Sequence, residues 1–295
     1  PPLGLGYLAS TIKDDHEVEI WDGILLKLKI KKFIKFIKKT DSKIFGIQSY
    51  TSDLAITREY IKKIKVIIPN AIVIVGGHHP STLMEHCIEY LDQADFFFLG
   101  EAELGFPKLM NILNSEFFRS KNPDFRSKNS RILLNPNLKE IPNLYYKNGD
   151  RLVCNPIEFP QTLDLYEPSY ELLNLQDYPL APHGGFCKNY PTAPISVTRG
   201  CPYGCNFCSA SLISGKKIRS HSVNYVIDTL KKLKREYNIK EFHIEDDNFT
   251  HNRDFVVDLC TKLINQNLNM SWTAANGLRL DSLDKDLVRL MVKSG

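Results

Sequence analysis

Residues 71–75 read A-I-V-I-V, an unbroken apolar run with no polar face. A strand of that kind needs cover on both sides, as in a parallel sheet flanked by helices; antiparallel strands with one wet face alternate instead. The neighbouring sequence supplies the cover: Ser52–Ile68 and Pro80–Leu91 carry apolar residues at helical spacing on either side of the run. The alternation extends outward. Glu17–Trp21 predicts a strand, and Leu25–Lys39 a helix through Leu26, Ile30, Phe33, Ile34 and Ile37. Lys43–Gln48 and Asp95–Leu99 predict strands, and Glu101–Leu113 a helix. This is the pattern of a doubly wound α/β domain, which places ligands at the carboxyl ends of its strands.

The rhythm is lost over residues 114–194. Leu144–Tyr146 and Leu152–Cys154 flank K-N-G-D, a hairpin signal because Asn-Gly accepts positive φ. Pro156, Pro160, Pro168, Pro179, Pro182, Pro191 and Pro194 then mark an extended joint. From Ile195 the alternation resumes, with a strand over Ile195–Thr198 and a helix N-capped by Ser222. A strand over Glu241–Ile244, a helix over Asp254–Gln266, a strand over Met270–Ala274 and a helix over Leu283–Lys293 follow. Three βα units in a row predict part of a (β/α) barrel, with functional groups at the strand carboxyl ends. The expected organisation is an α/β domain over 1–135, a hairpin and proline-rich linker over 136–193, and a barrel domain over 194–295.

Bulk properties exclude some functions. A net charge of +4 is too mild to argue for nucleic acid. The lysines at 27, 29, 31, 32, 35, 38 and 39 read as the solvated face of an amphipathic helix, against a membrane-surface or RNA-binding alternative. No apolar run approaches the roughly 20 residues of a membrane span.

Three of the seven cysteines, Cys201, Cys205 and Cys208, fall within R-G-C-P-Y-G-C-N-F-C-S. Cys87, Cys154, Cys187 and Cys260 are scattered singly, a usage that suits a reducing cytosol and argues against disulfides. A structural zinc site takes four ligands, commonly from two separated C-x-x-C pairs. Only Cys205 and Cys208 have that spacing, and His221 has no neighbouring partner. Three thiolates on a [4Fe–4S] cluster instead leave one iron open to a substrate or cofactor. Gly200 and Gly204 permit the backbone to wrap such a cluster.

The C-x-x-x-C-x-x-C spacing after a strand ending V-T-R-G resembles the radical S-adenosylmethionine (SAM) superfamily. The resemblance implies that Cys201, Cys205 and Cys208 hold a [4Fe–4S] cluster whose open iron binds SAM. One electron then cleaves SAM to a 5′-deoxyadenosyl radical. It places Phe207 near the adenine, with simple packing as the competing reading, and Glu245, Asp246, Asp247 and Asn276 at the SAM pocket. The Gly-Gly-Glu form usual in the family is absent, and Arg279 reads equally as a pocket or a surface ion-pair residue. In the first domain, P-L-G-L-G-Y-L-A-S, S-Y-T, G-G-H-H-P-S and G-E-A-E resemble the cobalamin-binding, Rossmann-like domain fused to many of these enzymes. Ser49, Gly76, Gly77, His78, Gly100 and Glu101 would then lie along the cobalamin nucleotide tail. D-x-H-x-x-G, which supplies a cobalt-ligating histidine elsewhere, is absent, so His78 and His79 are not expected on cobalt.

The resemblance implies a cytoplasmic enzyme that methylates an unactivated carbon of a small molecule, reduced by a partner such as flavodoxin or ferredoxin. Two alternatives stay open: a cobalamin-dependent cyclase or ring-rearranging enzyme, and a non-catalytic cobalamin or redox-binding protein. Methylthiolation would need three further cluster cysteines in the first domain, where only Cys87 lies. Against the family, the first strand and the later barrel strands are missing, so the chain is expected to be a fragment.

Overall fold

The computed structural model describes residues 1–119, 132–133, 135–149, 151–179 and 187–295. Asp150 of the expected turn and Pro182 of the expected joint lie outside them. The chain forms two compact units. One comprises Tyr7–Pro160 with Leu212–Ser214, the other Pro1–Gly6, Gln161–Ser211 and Gly215–Gly295.

The first unit is built on a five-stranded sheet of order β1-β2-β3-β4-β5: β1 (Ile44–Gln48), β2 (Ile72–Gly76), β3 (Phe96–Phe98), β4 (Leu144–Asn148) and β5 (Arg151–Cys154). β1, β2 and β3 are parallel, and the β4–β5 hairpin adds antiparallel to β3, Phe97 opposite Tyr145. Side chains that alternate along β2 and β3 feed two separate cores. Ile72, Ile74, Phe96 and Phe98 pack with Phe106, Leu109, Met110 and Leu113 of the helix Phe106–Arg119. Val73, Val75 and Phe97 pack with Phe33, Ile37, Ile61, Ile64, Cys87 and Ile88 from the helices Ile30–Ile37, Leu54–Ile67 and Met84–Tyr90. The sheet is thus covered on both faces, as the A-I-V-I-V run requires.

In this unit, local outcomes differ from the sequence reading in four places. Glu17–Trp21 forms no strand: Val18 packs on one core and Trp21 on the other, with no ladder partner. The second helix starts only at Ile30, because Lys27 takes positive φ (46°) and Asp22 Oδ1 accepts from the Ile24 N–H at 2.7 Å, closing a turn first. The Pro80–Leu91 pattern is two short helices, His78–Thr82 and Met84–Tyr90, and the helix expected from Glu101 begins at Phe106.

The second unit carries a parallel sheet of order β10-β9-β6: β6 (Thr192–Ile195), β9 (Glu241–Ile244) and β10 (Ser271–Ala274). The helices Val223–Tyr237, Arg253–Asn265 and Lys285–Lys293 follow in βα order. Ser222 caps the first of them, its Oγ accepting from the Tyr225 N–H at 3.1 Å. β6 starts three residues earlier than the apolar pattern implied and contains Pro194; it pairs on one side only, where a proline is tolerated. Between β6 and the first helix, a two-residue antiparallel ladder joins β7 (Thr198–Arg199) to β8 (Arg219–Ser220). That ladder closes the loop bearing the three cysteines. Cys260 is fully buried mid-helix, and burial pushes its thiol up, as expected of a core cysteine.

Candidate functional site

In the second unit, the three parallel strands end at three loops. β6 leads to the cysteine loop, β9 to Glu245–Asn248 and β10 to Asn276–Arg279. Asp246 joins the first two. It is buried, and its Oδ1 accepts from the Val197 N–H at 2.7 Å. Its Oδ2 accepts from the Thr198 N–H at 2.7 Å and the Thr198 hydroxyl at 2.9 Å. Both oxygens are therefore occupied within the fold. This departs from the expectation that Asp246 faces SAM; its position fixes the backbone that launches the cysteine loop. Glu245 and Asp247 on either side are exposed. Asn276 Nδ2 donates to the Glu245 carbonyl at 2.9 Å and so ties β10 to β9.

The cysteine loop leaves β7 through Gly200, whose φ is +95°. A Cβ there would run into the Lys217 carbonyl in the returning arm of the loop, just ahead of β8. Gly204 has open space around it, so it lacks the steric need expected of both glycines. The Cys201 N–H donates to the Gly215 carbonyl at 3.0 Å, and the Cys208 N–H to the Cys205 carbonyl at 3.0 Å. All three thiols are free of disulfides; Cys201 and Cys205 are half-buried and Cys208 is exposed. Phe207, at 93% exposure, packs on nothing substantial. That excludes simple packing as its role within the described residues.

Arg279 links the third loop to the first. Its guanidinium lies 3.7 Å from the ring centroid of Tyr203, between Cys201 and Cys205 in sequence. Asp281 braces it through bonds of 3.0 and 2.6 Å. Asp281 above all, then Tyr203 and Cys205, hold the guanidinium above its ordinary value. The sequence left Arg279 evenly divided between pocket and surface; the geometry makes it both an ion-pair residue and a neighbour of the cysteine loop. Tyr203 was not singled out, and only its place inside the cysteine spacing could have flagged it.

In the first unit, a chain of hydrogen bonds crosses the carboxyl ends of β1, β2 and β3. The Ser49 N–H donates to the Gly76 carbonyl at 2.9 Å, and the His79 N–H to the Ser49 carbonyl at 3.1 Å. Ser81 Oγ donates to the Gly77 carbonyl at 2.7 Å and accepts from the Gly100 N–H at 2.9 Å. Gly77 has φ +101°, and a Cβ on it would sit 3.0 Å from the Ser49 nitrogen and oxygen. Ser49, Gly76, Gly77 and Gly100 are thus brought together as one rim. Glu101 is buried, its carbonyl accepting from Asn143 Nδ2. His78 is exposed and stacks on Tyr50 at 4.7 Å. His79 is buried, with Nδ1 3.0 Å from Thr51 Oγ1 and Nε2 3.3 Å from His86 Nδ1. Burial, and then His86, lower its basicity. Both ring nitrogens are engaged within the fold. Asn143 is the residue that sequence reasoning missed here, and its φ of +65° is invisible without the fold; Ser81 lay inside the G-G-H-H-P-S motif without a role of its own.

A parallel half-barrel with a three-cysteine loop at its strand ends, in one chain with a doubly wound domain, defines a recognisable class. Residues 1–110 match the B12 binding domain family and residues 195–295 the Radical SAM superfamily; the chain belongs to the B12-binding radical SAM proteins. It is 33% identical to an uncharacterized methyltransferase of Pyrococcus horikoshii over 300 residues, covering 100% of this chain and 59% of the relative. Against the cytidylyl-2-hydroxyethylphosphonate methyltransferase of Streptomyces wedmorensis it is 26% identical over 319 residues, again 100% of this chain and 59% of the relative. The chain therefore spans less than two thirds of these relatives. In fold it resembles the radical SAM methyltransferase TsrM of Kitasatospora setae, solved with cobalamin and a [4Fe–4S] cluster. The TM-score is 0.68 at 15% identity, over 100% of this chain and 56% of that one.

Proposed function

We propose that the protein works in cobalamin-dependent radical SAM methyl transfer to an unactivated carbon of a small molecule. The observation that carries this reading is the closed loop at the end of β6 that presents three unpaired thiols and no fourth. The donor set fits a [4Fe–4S] cluster with one open iron. When bound, the cluster supplies the electron that cleaves SAM to a 5′-deoxyadenosyl radical, and cobalamin supplies the methyl group.

The chain's own residues divide the remaining work. Cys201, Cys205 and Cys208 would hold the cluster as thiolates. Exposed Glu245 and Asp247 suit the ammonium of SAM, and exposed Phe207 offers a ring face to adenine. Asp246 and Asn276 hold the strand ends that aim them. In the first unit, the small residues Ser49, Gly76, Gly77 and Gly100 let a cobalamin tail approach the backbone, with Glu101 and His78 alongside. Reduction by a flavodoxin or ferredoxin and a cytoplasmic setting complete the reading. No helix among the described residues is long and apolar enough to cross a membrane.

The test is anaerobic reconstitution with iron, sulfide and hydroxocobalamin, followed by SAM and dithionite. The expected result is about four irons per chain, a retained cobalamin spectrum, and 5′-deoxyadenosine in the supernatant. A protein that carries both cofactors yet yields neither 5′-deoxyadenosine nor S-adenosylhomocysteine would overturn the enzymatic reading in favour of a binding protein.

A further inference from the structure

The opposite end of the barrel sheet holds a cluster that the cysteine loop does not explain. Glu241 and His243 lie two apart on β9, so their side chains share one face of the sheet. His243 Nε2 lies 3.1 Å from Glu241 Oε1. One ligating atom from each of Cys187, Glu241 and His243 lies within 4.8 Å of the other two. Glu241 is the first residue of its strand and Glu245 follows the last, so about 13 Å of strand separates this cluster from the cysteine-loop end.

The carboxylate is held as a metal ligand is held. Glu241 Oε2 accepts from the Lys188 N–H at 2.8 Å, the Asn189 N–H at 2.7 Å and the Ser271 hydroxyl at 2.7 Å. Asn189 Nδ2 in turn donates to Ser271 Oγ at 2.8 Å. Those bonds fix one oxygen and aim the other at His243, the outer-shell arrangement that orients ligating carboxylates. Tetrahedral zinc sets its ligand atoms roughly 3.3–3.8 Å apart, a side-chain rotation from the observed spacing. A sulfur, a nitrogen and an oxygen suit a borderline-soft cation, with water in the fourth position.

We propose that Cys187, Glu241 and His243 form a divalent zinc-type site at the amino-terminal edge of the barrel sheet. It ties the chain entering β6 to β9. Binding deprotonates the Cys187 thiol, the proton leaving to solvent, and shifts the His243 ring proton from Nε2 to Nδ1, so that two metal bonds replace the Glu241–His243 hydrogen bond.

Cobalt(II) is the probe. A Cys201→Ala/Cys205→Ala/Cys208→Ala variant, unable to take the cluster, should bind about one equivalent with a thiolate-to-cobalt charge-transfer band. Adding Cys187→Ser should abolish the band, and His243→Gln should weaken binding at least tenfold. In parallel, zinc should slow iodoacetamide alkylation of Cys187 in the unsubstituted protein at least tenfold, read by peptide mass spectrometry; this arm needs no variant to fold. A band that survives Cys187→Ser, or alkylation of Cys187 indifferent to zinc, overturns the site. The latter result with fast alkylation would instead mark an uncoordinated reactive thiol.

Discussion

Two buried ionisable side chains at the root of the cysteine loop titrate in opposite senses. Burial pushes the Asp246 carboxyl up from 3.8 to about 7, against the donors on Val197 and Thr198. The native state then keeps a proton that the unfolded chain releases. The stability this group contributes is full below about pH 4 and is lost as pH rises through 7. Burial pushes the His221 imidazole down from 6.5 to about 4, with its Asp164 hydrogen bond opposing. Here the unfolded chain takes the extra proton, so the contribution is full above pH 6.5 and is lost as pH falls through 4. Each shift is worth on the order of 3–4 kcal/mol, and the two slopes largely cancel between about pH 4 and 6.5. Removing one should unmask the other. Relative to the unsubstituted protein, His221→Gln should make stability fall from pH 4 towards 7, and Asp246→Asn should make it rise from pH 4 to 6.5. Asp246→Asn should also cost about 1–3 kcal/mol throughout, since its amide N–H₂ must face a backbone N–H. Urea unfolding of the cluster-free protein across that range checks this, and parallel curves for all three proteins would refute it.

At the scale of elements, the loop's geometry rests on the short β7–β8 ladder, and Gly200 sits where the returning arm comes close to its backbone. Gly200→Ala combines positive φ with a collision against the Lys217 carbonyl, so the arms must separate. The expected outcome is at least a tenfold loss in cluster incorporation, read as iron per chain, with Gly204→Ala retaining near-normal iron because nothing lies near its Cβ. Equal effects of the two would mean that loop flexibility, rather than the ladder, governs assembly. These elements also show what sequence can carry. The A-I-V-I-V run, the Ser222 cap and the cysteine spacing are local and were legible. The Asp246–Thr198 bonds, the Arg279–Tyr203 contact and the Ser81 bridge span sequence separations that no local pattern encodes. Glu17–Trp21 misled for a related reason: its alternation serves two cores on opposite faces without a strand beside it.

At the scale of the molecule, both apolar cores described for the Tyr7–Pro160 unit are drawn wholly from its own residues. The β6-β9-β10 sheet and the helices that follow its strands likewise have their own buried residues, among them Ala193, Ile195, Phe242 and Ile244 on strands and Leu230 and Val256 on helices. Units with separate cores lose structure separately, so damage to one ligand rim should leave the other's loading intact. Cys205→Ala should therefore remove iron while cobalamin is retained. Gly77→Val should do the reverse: a branched side chain at φ +101°, 3.0 Å from the Ser49 backbone, breaks the hydrogen-bonded rim across β1, β2 and β3. Retained cobalamin should drop at least tenfold while iron per chain stays unchanged. Both quantities come from one gel-filtered sample, by iron assay and visible absorption. If either substitution removes both cofactors, loading is cooperative across the chain and the two rims do not act independently.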